Sequence, residues 1–360
     1  MATLALHRPT LPISARALEL APLALGLMGL GLGWAGADWD AAWHRLIGRD
    51  TFWSAPHVLM YTGTALTGLA ALVATFTAMR GRHVRSRELA IGPFHAERGL
   101  ALVGIGALVI ISAAPFDDLW HRAFGRDIDI WSPPHLFAVA GAVLAYAGLS
   151  AAAGVNAFSL PPRPRAALTL LLIASLIGTF VFGMNFYYIM GWSREALLYP
   201  LVVSATIPFA LAMSVTLLPG SRFAASAAAL VFTILALLTY VALRALDWPP
   251  PAFPPLVLAG ALALDAGRRR TANAVLLGAA FALTFVIGEG LRLLAFVPPP
   301  PSPAAISDPQ FGGLVLTYWL RAEARPWLSA WPLLAALLGV PLAAASWWIG
   351  RGVARNLAAR

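Results

Sequence analysis

The sequence predicts an all-α fold, a polytopic membrane helix bundle of about ten transmembrane helices built as successive helical hairpins. Composition is the first observation: 59% of the 360 residues are hydrophobic and only 11% are charged, less than half the roughly 25% of a soluble domain. The second is that apolar stretches of about twenty residues, each long enough to cross a hydrocarbon core of ~30 Å, recur from end to end. The third is that short arginine-rich segments separate many of these stretches.

The predicted spans fall into three segments of the chain. Residues 1–160 hold spans one to four as two hairpins with a repeated polar motif, residues 161–297 hold degenerate hairpins and spans five to nine, and residues 298–360 hold a proline-rich outer loop and the last span. In order, the spans are 17–46, 55–79, 99–122, 133–155, 166–190, 195–217, 223–246, 252–267, 272–297 and 326–350. We expect no signal peptide, because the first apolar region is longer than the usual 7–15 residues.

The positions of the arginines predict the topology. They are most frequent at the two termini and in alternate loops, which places both termini on the cytoplasmic side of a bacterial inner membrane. This distribution does not form the single basic face of a nucleic-acid-binding protein, so the predicted partners are the lipid bilayer and, as a further possibility, other membrane subunits. The chain has no cysteine, which excludes disulfides, thiolate metal sites and cysteine nucleophiles.

One polar motif occurs twice. The stretch "WHRLIGRDTFWSAPH" runs from Trp43 to His57, and "WHRAFGRDIDIWSPPH", which is one residue longer, runs from Trp120 to His135. An aspartate stands three residues before each copy begins, at Asp40 and Asp117. Each aspartate is therefore one helical turn before the first histidine of its copy, so that both side chains lie on one helix face. The two copies therefore supply six candidate metal ligands, which are Asp40, His44, His57, Asp117, His121 and His135.

The residues between the two histidines of each copy predict a turn that brings the histidines together. Gly-Arg-Asp lets the chain reverse, and Ser54 and Ser132 are typical N-caps that are followed by proline in the first helical turn. His57 and His135 then stand in the first turn of spans two and four. There the helix dipole disfavours the imidazolium and favours the neutral imidazole, which is the form that binds metal.

Two imidazoles and a carboxylate form a ligand set for zinc, copper, iron or manganese. We therefore predict a transition metal ion at each group, or one dinuclear centre if the two groups converge. Two alternatives remain open: the aspartates and histidines only hydrogen-bond each other and cap helices, or His57 and His135 are axial ligands of a haem. The adjoining charged residues are predicted to be loop ion pairs or, alternatively, groups that orient the ligands or contact substrate, and they are Arg49, Asp50, Arg126 and Asp127.

The first copy resembles a known metal site. The spacing Asp40-x3-His44-x12-His57 is similar to that of the Asp/His/His site in a membrane-embedded subunit of the particulate methane and ammonia monooxygenases, which is also a multi-pass protein. The likeness covers these three ligands and their membrane setting, and the second copy departs from it by one residue. It implies an oxidising chemistry with copper favoured over zinc, iron and manganese. The wider motif WHR-x2-GRD…WSxPH also resembles one in a family of multi-pass bacterial membrane proteins, a likeness that implies no function.

Three functions fit these observations. The first is an integral membrane metal-dependent oxidoreductase, similar to a monooxygenase, with its site at the outer membrane interface and a lipid-soluble substrate. The second is a transition-metal transporter or a metal-delivery subunit, and the third is an accessory subunit in which the polar motifs only join helices. A transporter needs a polar path inward from the site, and spans one to four are almost purely apolar beyond the motif.

Three other features carry weaker predictions. Glu289 and Arg292 stand one turn apart inside span nine, where charge is costly, and we predict an internal ion pair. The stretch "GMNFYY" at 183–188 is either core packing or the wall of a pocket. Residues 298–325 form a linker or, alternatively, a lid over an outward-facing site.

Overall fold

A computed structural model describes residues 13–47, 51–80, 88–91, 94–125, 131–185, 196–248, 254–295, 307 and 325–359. These residues form ten α-helices, and nine of them are long and apolar enough to cross a membrane. The all-α polytopic fold class is therefore confirmed. The helices are α1 (Ile13–Leu46), α2 (Ala55–Met79), α3 (Arg98–Phe124), α4 (Pro133–Gly154), α5 (Pro162–Asn185), α6 (Leu198–Leu217), α7 (Ala224–Ala245), α8 (Val257–Gly267), α9 (Ala274–Ala295) and α10 (Trp331–Ala358).

The remaining described elements are short. Two antiparallel strands, β1 (Glu88–Ile91) and β2 (Phe94–Glu97), occupy the loop that the sequence predicts between spans two and three. A 3-10 helix at Arg325–Leu328 precedes α10. The last helix continues to Ala358, beyond the predicted end at 350.

Helix α8 is shorter than the predicted span 252–267. It has 11 residues and is therefore about 16 Å long, roughly half of a hydrocarbon core. Pro254 and Pro255 stand directly before its N-cap residue, Leu256. The residue before a proline is disfavoured in the helical conformation, so Pro254 stands outside the helix, which begins after Pro255.

The first four helices pack as two hairpins, α1 with α2 and α3 with α4. Glycines allow their backbones to approach closely. A Cβ added to Gly29 would lie 2.6 Å from the carbonyl oxygen of Gly63, and one added to Gly106 would lie 2.5 Å from that of Gly141. These two contacts occur at equivalent positions of the two hairpins, so the polar residues stand at the same distance along the helix from the glycine contact in each hairpin. We call this end of the bundle, where the α1–α2 and α3–α4 turns lie, the motif end.

The other half of the bundle is organised around α10, which packs against α6 and α9. Glycine again permits the contact: a Cβ added to Gly278 of α9 would lie 2.6 Å from the carbonyl oxygen of Val340. The centre of the molecule is apolar, and its largest fully buried side chains include Trp347, Tyr199 and Phe285.

The charged pair of α9 is buried as predicted. Glu289 is completely buried, and Arg292 binds both of its carboxylate oxygens, with Nε at 2.9 Å from Oε2. The hydroxyl of Tyr199 donates to Oε1 at 3.2 Å, and the backbone N–H of Leu256 donates to Oε2 at 2.9 Å. Glu289 therefore joins α6, α9 and the start of the short helix α8.

A second buried carboxylate, which the sequence analysis missed, anchors the other end of α8. Asp265 accepts from the backbone N–H and the hydroxyl of Ser226 at 2.8 and 2.7 Å, and from Nε of Arg268 at 2.8 Å. Asp265 and Arg268 stand one turn apart at the end of an apolar helix. This spacing is the sequence signal from which the buried ion pair could have been predicted.

Candidate metal centre

The clearest candidate metal site lies at the motif end of α3 and α4. Asp117, His121 and His135 each offer one ligand atom, and the three atoms lie within 4.8 Å of one another. Nε2 of His121 is 3.3 Å from Oδ2 of Asp117, and Nε2 of His135 is 3.3 Å from Oδ1. Asp117 and His121, one turn apart on α3, thus lie beside His135 in the first turn of α4, as the sequence predicts.

The second nitrogen of each imidazole has a hydrogen-bond partner. Nδ1 of His121 lies 3.2 Å from the carbonyl oxygen of Gly125, and Nδ1 of His135 lies 3.0 Å from Oγ of Ser132. A carbonyl only accepts, so Nδ1 of His121 carries the hydrogen and Nε2 of the neutral ring keeps its lone pair. Metal-binding histidines are oriented in this way by a hydrogen bond from the nitrogen that does not bind the metal.

The role of Ser132 differs from the prediction. It occupies the N-cap position of α4, but its hydroxyl makes no capping hydrogen bond and contacts the imidazole of His135 instead. Ser54, at the N-cap position of α2, also makes no side-chain capping hydrogen bond. In α4 the histidine stands one turn after the serine, so the ring nitrogen competes with the backbone N–H groups for the hydroxyl.

The geometry of the α3–α4 group suits a shared proton or a bound cation. In the neutral tautomer with the hydrogen on Nδ1, Nε2 of His121 and Oδ2 of Asp117 both present lone pairs across 3.3 Å. Two acceptors at this distance are stabilised only by a proton or a metal ion near both of them. The group is partly open, since the side chains of Asp117 and His121 are 21% and 35% exposed, so an ion could enter from the motif end.

The α1–α2 hairpin repeats part of this arrangement. Nε2 of His57 lies 3.3 Å from Oδ1 of Asp40, and both side chains are more buried than their counterparts, at 15% and 10% exposure. The ring of Tyr61 lies 6.0 Å from that of His57. The side chain of the third predicted ligand, His44, lies outside the described part of the structure, as do Arg49, Asp50, Arg126 and Asp127.

Both Asp/His pairs line one cavity of about 270 Å³. Its walls come from α1 to α5, from α7 and from Pro254. The residues at its polar end are Asp38, Asp40, His57, Asp117 and His135. The two hairpins therefore present their polar groups to a common space.

The walls that α5 and α7 contribute to the cavity were not predicted. They include Gly178 and Phe182 of α5 and Phe232 and Ala236 of α7. A Cβ added to Gly178 would overlap the ring of Trp34 at 1.9 Å, so this glycine makes room for the indole that faces the cavity. Of the stretch at 183–188, residues 183–185 form the end of α5, and the side chains of residues 184–188 lie outside the described part of the structure.

Comparison of the chain with protein-family models, curated proteins and solved structures found no match. The likeness to the monooxygenase site therefore stands on the three ligand positions of the first hairpin alone. Of those three, the structure describes the side chains of Asp40 and His57 and brings them together.

Proposed function

We propose that this protein is an integral membrane metalloprotein, a metal-dependent oxidoreductase whose transition metal is bound by Asp117, His121 and His135. One observation carries the proposal: one ligand atom from each of Asp117, His121 and His135 lies within 4.8 Å of the other two, and Asp117 and His135 also line the cavity. Three protein ligands leave coordination positions for a reactant, as catalytic metal sites do. The bound metal would supply Lewis-acid or redox chemistry.

Copper is the metal that we favour, on the resemblance of the first hairpin to the monooxygenase site. Zinc, iron and manganese suit the same nitrogen and oxygen donors. A redox function requires a metal that changes oxidation state, so a protein that holds only zinc when isolated from its own cells would contradict the oxidoreductase part of the proposal.

Asp40 and His57 are proposed as ligands of a second ion, with His44 as their third partner. Because both pairs line one cavity, the two ions would either form a dinuclear centre or occupy separate positions in the same space. A metal pair about 3.5–4 Å apart can hold one reacting group between both ions. Haem ligation by His57 and His135 is a weaker proposal, because Nε2 of each imidazole already lies 3.3 Å from a carboxylate.

Metal delivery is the second candidate function. The partial exposure of His121 and Asp117 would let another protein take the ion from the motif end. Transport across the membrane has less support, because the cavity beyond the polar end is lined mainly by alanine, glycine and apolar side chains.

Metal binding by the purified protein tests the proposal. We expect elemental analysis to find a tightly bound transition metal in the intact chain and a lower occupancy in His121→Ala, His135→Ala and Asp117→Asn. His95→Ala is the matched control, since His95 is a described histidine that contacts Glu88 at 3.8 Å in the β1–β2 hairpin. The absence of metal, or equal occupancy in the ligand variants and the control, would refute the ligand assignment.

A further inference from the structure

The cavity behind the Asp/His pairs is elongated. Its walls follow α1 from Asp40 to Gly29, a helical distance of about 16 Å. The volume of about 270 Å³ corresponds to on the order of ten groups of the size of a water molecule or a methylene. These dimensions fit one narrow chain better than a broad ring system.

Four of the six hydroxyl side chains that line the cavity donate to backbone carbonyls. Thr64, Thr67 and Thr179 each donate to a carbonyl of their own helix at 2.8 to 3.0 Å, and Tyr146 donates to the carbonyl of Leu30 at 3.0 Å. Beyond the polar end, the cavity therefore presents chiefly hydrocarbon. Apolar surface of this kind gains about 25 cal/mol for each Å² that a ligand covers.

The polar end is acidic. Three carboxylates line it, those of Asp38, Asp40 and Asp117, and none of the described residues that line the cavity is an arginine. In the metal-free protein, a carboxylate or phosphate head group would meet like charge from these three described side chains. An uncharged hydroxyl could donate to these carboxylates.

Helices α1 and α7 both line the cavity without packing closely on each other, and we infer that the cavity opens toward lipid between them. Helix α1 packs on α2 and α4, whereas α7 packs on α5, α6 and α8, so α1 and α7 make little direct contact although both line the cavity. At the motif end three indoles bridge them, because Trp248 lies 6.2 and 6.3 Å from Trp39 and Trp43. Leu238 and Val241 of α7 are about 60% exposed, as expected for a surface in contact with lipid.

We propose that the cavity binds the hydrocarbon chain of an uncharged, single-chain alcohol that enters from the bilayer between α1 and α7. The hydroxyl end lies at the Asp/His pairs and the chain extends toward Gly29. This assignment rests on the proposed function, for which it names the substrate class, but the binding itself needs no metal.

Two glycines of α1 provide a matched pair of variants. A Cβ added to Gly33 or to Gly31 meets no described atom within 4 Å. Gly33 lines the cavity, whereas Gly31 is exposed on the outer surface of the helix. Gly33→Leu therefore fills the cavity without a backbone clash, and Gly31→Leu makes the same chemical change outside it.

The probe is 10-bromo-1-decanol, added to metal-free protein in nanodiscs, with bromine quenching of Trp34 as the readout. Trp34 lines the cavity, and a Trp34→Phe variant subtracts the signal of the other twelve of the 13 tryptophans. We expect saturable quenching in the wild type and in Gly31→Leu, and an affinity at least about tenfold weaker in Gly33→Leu. We also expect 10-bromodecanoate to bind more weakly than the alcohol.

A second arm of the experiment distinguishes the free alcohol from the acyl chains of the bilayer, which have the same hydrocarbon chemistry. Nanodiscs with brominated phosphatidylcholine should quench Trp34 equally in Gly31→Leu and Gly33→Leu. The inference is overturned if the alcohol shows no saturable quenching, if it binds Gly33→Leu and Gly31→Leu equally, or if only the brominated lipid distinguishes the two variants. Because the protein is metal-free, failure of metal binding and failure of chain binding are separate results.

Discussion

The carboxylate of Asp117 contacts two imidazoles, one through each oxygen. Each of these rings is also held through its other nitrogen by a group close to it in sequence, Gly125 for His121 and Ser132 for His135. Both Nε2 atoms are thereby directed at the same point beside the carboxylate. Such outer contacts typically contribute 10- to 100-fold to metal affinity.

Ser132→Ala tests the hydrogen bond between Ser132 and His135 without disturbing the fold. We expect metal affinity to fall by about 10- to 100-fold, because the ring of His135 loses the partner that orients it. We expect little change in thermal stability, since the hydroxyl caps no backbone N–H. Competition with a chelator measures the affinity. Ser132→Thr, which keeps a hydroxyl, should recover most of it, and a variant without hydroxyl that binds as well as the wild type would contradict the orienting role.

At the scale of the elements, two buried carboxylates join α8 to its neighbours, Glu289 from α9 and Asp265 from α8 itself. A backbone N–H left without an acceptor in a lipid environment costs several kcal/mol. Glu289 accepts the N–H of Leu256 at the start of α8, and Asp265 accepts that of Ser226 in the first turn of α7. These bonds explain why the buried charges are tolerated.

Glu289→Ala should destabilise the protein by about 3–5 kcal/mol, because it leaves the Arg292 charge buried without its partner. Replacing both residues, in Glu289→Leu with Arg292→Leu, should cost less than the single change, since a matched apolar pair leaves no buried charge. Unfolding in detergent measures both. A double variant that is as unstable as the single one would show that the ion pair itself, and not the unpaired arginine, determines the loss.

At the scale of the whole molecule, the features that could be predicted from the sequence are those that depend on residues close together along the chain. Hydropathy predicted the helices, and the spacing of Asp117, His121 and His135 predicted a contact that the structure confirms. The walls from α5 and α7 were missed because they depend on packing between helices that are distant in sequence. The short α8 was missed because the hydropathy of an apolar run does not show where the helix begins, and here it begins only after Pro254 and Pro255.

The orientation of the chain in the membrane is a further prediction at this scale. Because the protein has no cysteine, Asp50→Cys and Arg85→Cys each introduce a single labelling position. We expect an impermeant thiol reagent to label Asp50→Cys in intact cells and Arg85→Cys only after the inner membrane is opened, because the arginine distribution places both termini and residue 85 in the cytoplasm. Labelling of both positions from one side would contradict this topology.

X-ray absorption at the metal edge tests the central claim most directly, because it reports the ligands of the ion itself. For metal loaded into the intact protein, we predict two imidazole nitrogens at about 2.0 Å together with oxygen donors, and the loss of one imidazole from the ion of the α3–α4 site in His135→Ala. If the two hairpins build a dinuclear centre, a metal–metal vector of about 3.5–4 Å should accompany these shells. A spectrum without imidazole scattering, or one that is unchanged in both His121→Ala and His135→Ala, would contradict the assignment of this site.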